Sequence, residues 1–66
     1  MLFWKFIRAC RKYKFTFVLG TYGELEILLR PNNTFQNIKI TEKYGNYKQL
    51  FKKAIREMKN YNSLYR

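Results

Sequence analysis

Histidine is missing from this 66-residue sequence, and cysteine, proline and tryptophan each occur once. Without histidine there is no imidazole to ligate a metal, to act as a general base near neutral pH or to activate Cys10 as a nucleophile. One cysteine excludes an internal disulfide, and small secreted domains usually depend on disulfides, so the sequence predicts a reducing, cytoplasmic setting. On an apolar helix face Cys10 reads as a small core residue. Apolar stretches near the start are broken by Lys5, Arg8, Arg11 and Lys12. Neither a membrane span of ~18 residues nor a signal h-region of ~7 is expected there. Acids are scarce: four Asp and Glu stand against 14 Lys and Arg, a net charge of +10. Glu24 and Glu26, two apart, would share a face of a strand and could together hold a divalent ion, but Lys14 and Lys39 on flanking strands predict cross-strand ion pairs instead. No Gly-rich phosphate loop leads from a strand into a helix; Gly20 and Gly23 bracket a turn, and Asn32-Asn33-Thr34 reads as turn chemistry rather than a glycosylation site. These absences predict no enzyme, no cofactor, no metal site and no small-molecule substrate.

What is present is an apolar fraction of 47%, with one residue in five aromatic. That suffices for a core, so the excess charge is expected on the surface of a fold rather than in a disordered chain. Met1 to Lys12 reads as an amphipathic helix, since Leu2, Phe3, Phe6, Ile7, Ala9 and Cys10 fall together at ~100° per residue, with Trp4, Lys5, Arg8, Arg11 and Lys12 opposite. The period changes to two from Tyr13, where Tyr13, Phe15, Phe17 and Leu19 alternate with Lys14, Thr16 and Val18. Gly20-Thr21-Tyr22-Gly23 reverses the chain. Glu24 to Arg30 alternates again, with Leu25, Ile27 and Leu29 inward. Arg30-Pro31-Asn32-Asn33-Thr34 suits a three-residue hairpin loop, with Pro31 and Asn32 at the centre of a type I turn and Asn33 in the left-handed region. A third strand, Phe35 to Thr41, would turn Ile38 and Ile40 to the core and Lys39 and Thr41 to solvent.

Asn46 then offers a helix N-cap, with Gln49 completing a capping box. In the helix that follows, Tyr47, Leu50, Phe51, Ala54, Ile55 and Met58 recur at helical spacing. The expected fold is α+β: a three-stranded antiparallel meander between an N-terminal and a C-terminal helix (αβββα). It forms one compact domain over residues 1–59, with 60–66 a frayed tail. The C-terminal helix covers the inner sheet face, while the N-terminal helix has either face open to it.

Lys48, Lys52, Arg56 and Lys59 share a sector of roughly 80° on the last helix, with Lys53 and Glu57 to the other side. Together with Lys5, Arg8 and Arg11 of the first helix they predict a surface that follows a phosphate backbone, DNA or RNA, by releasing counterions. Trp4 lies between Arg8 and Arg11, where it could stack on an exposed base or sit at a lipid interface. The order of elements resembles the layout of double-stranded RNA-binding domains, which implies recognition of duplex shape and phosphate. Those domains open their last helix with a tight Lys-Lys-x-Ala-Lys run; here Lys52-Lys53-Ala54 comes well inside the helix. The three strands and last helix also resemble the small DNA-binding domains of certain plant transcription factors and of phage-type integrases. Those domains insert the sheet into the major groove, where Glu24 and Glu26 would meet phosphate. A similar layout occurs among phage-encoded inhibitors of CRISPR nucleases.

The sequence therefore predicts a nucleic-acid-binding accessory or regulatory protein, of a size common in phage and mobile elements. The alternatives are an inhibitor or adaptor that docks on an acidic protein surface, and a peripheral membrane protein anchored through Trp4.

Overall fold

The computed structural model describes residues 2–21, 23–32 and 34–65, with the side chain of Tyr65 left out. Its elements are α1 (Leu2–Tyr13), β1 (Phe15–Thr21), β2 (Leu25–Pro31), β3 (Ile38–Glu42) and α2 (Tyr47–Tyr65). The strands form one antiparallel sheet in the order β1-β2-β3, so the αβββα architecture of the sequence reading holds.

Both helices cover the same face. Phe6 of α1 is fully buried, its ring 4.8 Å from that of Phe17 in β1 and 5.1 Å from that of Phe51 in α2. Around it the core gathers Ala9, Cys10, Phe15, Leu25, Ile27, Leu29, Ile40, Leu50, Ala54 and Met58. β2 contributes most regularly because it is the central strand, where alternation places Leu25, Ile27, Leu29 and Pro31 on the covered face. Each large apolar side chain buried this way contributes about 1.5–3 kcal/mol. The domain is thus two layers, helices over sheet, and the other sheet face is left uncovered.

A single residue separates α1 from β1. Lys14 makes the reversal with φ 60°, the left-handed conformation usual after a helix C-terminus, and its carbonyl accepts a 3.0 Å hydrogen bond from the Asn32 amide. Arg11 and Lys12 in the last turn of α1 complement the negative end of the helix dipole.

Five local expectations are corrected. Tyr13 closes α1 rather than opening β1. Gly20 and Thr21 belong to β1, opposite Glu26 and Leu25, so the reversal occupies positions 22–24, with Gly23 at φ 78° and Tyr22 outside the described residues. The β2–β3 connection is not a three-residue hairpin. Such a loop would pair Arg30 with Thr34 and turn Ile38 and Ile40 to the face opposite Ile27 and Leu29. Burying all four together requires the observed register, Ile27↔Ile40 and Leu29↔Ile38. The connection therefore takes up 32–37: the Thr34 amide donates to the Pro31 carbonyl (3.3 Å) and Phe35 leaves the strand, 93% exposed. Asn33 lies outside the described residues. Pro31 is tolerated because β3 ends its pairing at Leu29, so no ladder bond is asked of it on that side.

The fourth correction concerns the C-terminus, where residues 60–65 continue α2 instead of fraying. Tyr61, three residues after Met58, extends the core-facing row and meets Phe15 edge-to-face at 5.5 Å. At the other end of α2, the Asn46 side-chain amide points back to Glu42 Oε2 at 3.5 Å instead of boxing with Gln49.

Candidate functional site

The cationic side chains expected to act together, Lys5, Arg8, Arg11, Lys48, Lys52, Arg56 and Lys59, are all exposed, as is Trp4 at 58%. Their grouping follows from how the helices pack. Phe3 and Phe6 meet Phe51, and Phe15, just past α1, meets Tyr61, so α1 and α2 run side by side in the same sense. Between them lies a groove of about 260 Å³, walled by Lys5, Arg8 and Lys12 from α1 and by Lys59 from α2, over a floor of Ala9, Tyr13 and Ile55. Helical spacing creates the α1 wall, since positions 5, 8 and 12 lie one above the other. Among the described residues no acidic side chain lines the groove.

Lys12 is the member that the candidate set omitted. Its signal was available in the 5, 8, 12 spacing, and its Nζ is held 5.4 Å from the centroid of the Tyr13 ring. Ile55, expected fully in the core, is half-buried because it forms part of this floor.

The basic row on α2 is divided by its surroundings. Lys59 faces the groove, whereas Arg56 borders a second depression with Lys53, Glu57 and Lys39 on the β3 side. Lys48 and Lys52 stay exposed near the start of α2. Trp4 stands at that same end, its ring 6.0 Å from Phe3, which touches Phe51. Arg11 lies toward the β1 side of α1, beside Ile7 and Lys14.

Two of the four acids are spent on lysines away from the groove. Glu26 Oε1 lies 3.3 Å from Lys39 Nζ across the outer sheet face, the expected cross-strand pair. On the β1 side of the same carboxylate stands Gly20, where an added Cβ would sit 3.4 Å from Glu26 Oε2. Glu42 Oε1 pairs with Lys53 Nζ at 2.6 Å, and Lys53 Nζ also donates to the Thr41 carbonyl at 3.4 Å. The Lys53 hydrogen bond, together with one from the Lys43 amide, holds the Glu42 carboxyl below its ordinary range. Glu24 sits in the β1–β2 turn, at the far end of that hairpin from Lys14, so the ion pair expected between them does not form.

Cys10 is buried in the core, and desolvation pushes its thiol up to about 11, which keeps it protonated and unreactive at neutral pH. Among the described residues no three His, Cys, Asp or Glu side chains gather as a metal site, and no helix is long and apolar enough to cross a membrane. No family model matches the chain, and no curated protein or solved structure shows significant similarity to it.

Proposed function

We propose that this protein is a small non-enzymatic nucleic-acid-binding protein of the accessory or regulatory kind, engaging the phosphate backbone along the groove between α1 and α2. One observation carries the reading: Lys5, Arg8, Lys12 and Lys59 come from two helices to one acid-free groove. A charge row on a single helix is often only its solvated face. Here the α1 row meets Lys59 of α2, so four cations line one groove without a neutralising acid, an arrangement that an anionic polymer relieves. Two of the four acids support the same side of the molecule, since Glu26 and Glu42 are paired with lysines at the outer sheet face and at the β3 edge. Lys48, Lys52 and Trp4 extend the surface toward the start of the helices, where the exposed indole offers a stacking face for a base.

The test is a set of anisotropy titrations with duplex DNA, duplex RNA and single strands over a range of salt. Affinity should fall linearly on a log–log plot, by about 0.9 in slope for each duplex phosphate neutralised, with little dependence on sequence. Absence of binding at low salt, or binding that salt leaves unchanged, would overturn the reading.

A further inference from the structure

We propose that β1 is a self-association edge: two copies pair antiparallel through β1 and join their sheets into one of six strands. This goes beyond the nucleic-acid reading and does not rest on it.

β1 is an edge strand of seven residues, Phe-Thr-Phe-Val-Leu-Gly-Thr, without a charge or a proline. It pairs one-to-one with β2 along its whole length, so no bulge twists its free side away. Val18 and Leu19 are 64% and 47% exposed although, as neighbours, they point to opposite faces of the sheet. Neither face is covered at these two positions, and among the described residues no strand pairs with the outer side of β1. Edge strands are normally protected by charge, proline, bulges or covering chain. β3 shows that protection: it carries Lys39 and Glu42, and Lys53 occupies the Thr41 carbonyl. β1 itself has none, and the groove beside its start mixes the apolar Ile7, Phe15 and Phe17 with the cations Arg11 and Lys14.

The occupant that fits is a second copy. A two-fold axis at Val18, the middle of the strand, sets Val18 against Val18 of the other copy and Phe17 against its Leu19. Leu19, on the core face but uncovered, then gains the partner's Phe17, and the half-buried Phe17 gains the partner's Leu19. The same axis brings Lys14 of one copy toward the turn bearing Glu24 of the other. These two charges lie at opposite ends of the hairpin within one chain, and among the described residues Glu24 has no ion pair of its own. Both helix pairs then stand on one face of the joined sheet.

The interface is small and each copy carries +10, so association should strengthen as salt screens repulsion, opposite in sign to phosphate binding. Sedimentation equilibrium in about 0.5 M salt, up to about 1 mM protein, should show the mass rising from 8.2 kDa toward twice that value. Val18→Lys places two ammonium groups at the axis and should keep the chain monomeric, Val18→Thr should still associate, and Glu24→Lys should shift association to higher concentration. Amide exchange on the parent gives a readout free of any variant: β1 amides directed away from β2 should slow as concentration rises. A parent that stays monomeric, a Val18→Lys protein that still dimerises, or β1 exchange rates independent of concentration would each overturn the proposal.

Discussion

The ring of Phe15, the first residue of β1, meets the ring of Tyr61, in the penultimate turn of α2, edge-to-face at 5.5 Å and 82°. This contact closes the end of the core where α1 turns into β1, and it anchors the last turns of α2 over the sheet. Short helix ends are marginal without tertiary contacts. Tyr61→Ala is therefore expected to cost about 1–3 kcal/mol, lowering Tm by about 4–8 °C for each kcal/mol, and to fray residues after Met58. Leu64→Ala, at an exposed position, should stay within about 0.5 kcal/mol of the parent. Thermal melts and helical circular dichroism compare the two.

Lys14 holds a left-handed backbone that costs a side-chain-bearing residue about 1–2 kcal/mol. Glycine removes that cost while adding unfolded-state entropy, so Lys14→Gly should be neutral or stabilising by up to about 1 kcal/mol. Lys14→Val should destabilise clearly, because a β-branched residue tolerates positive φ least. The two variants remove the same charge, so a difference between their melts isolates the backbone.

Glu42 ties β3 to α2 through Lys53, and its carboxyl is held below the ordinary value of 4.5. A depressed folded-state value means that the native chain releases this proton more readily than the unfolded chain. The contribution to stability is then present above about 4.5 and is lost as pH falls through the folded value. Denaturant midpoints measured from pH 7 down to 3 should fall less steeply for Glu42→Gln than for the parent, and the variant should be the less stable at neutral pH.

On the groove reading, Arg8→Ala and Lys59→Ala should each reduce the salt slope of nucleic-acid binding by about one unit. Lys39→Ala, whose partner is Glu26 on the outer sheet face, should leave the slope unchanged. Equal effects at all three positions would point to net charge alone.

Trp4 reports on the same surface because it is the single tryptophan. Its emission should change on adding single-stranded oligonucleotides, and Trp4→Ala should lose roughly 1–3 kcal/mol of affinity with little change in Tm. A blue shift with anionic vesicles and none with oligonucleotides would assign the ring to a lipid interface.

Much of the architecture was legible in the chain. The change of period from 3.6 to 2 after α1, the alternation of Leu25, Ile27 and Leu29, and the unbroken row from Leu50 to Met58 determined the order and type of the elements, because each pattern is local and one face of each element must be buried. The basic composition and the exposure of Trp4 were readable for the same reason: the core positions were already filled by other residues.

What tertiary structure alone decided depends on contacts between distant segments. The β2–β3 register was set by bringing Ile38 and Ile40 under α2, and this outweighed the turn preference of Pro31-Asn32-Asn33. The end of α2 was decided by the place of Phe15 under Tyr61, a contact that no local period announces. The groove, too, exists because α1 packs beside α2 on one sheet face, which brings Lys59 to Lys5, Arg8 and Lys12 and leaves Arg56 to the other side. Helical spacing can place cations on a face, but only the packing of two helices decides which faces meet.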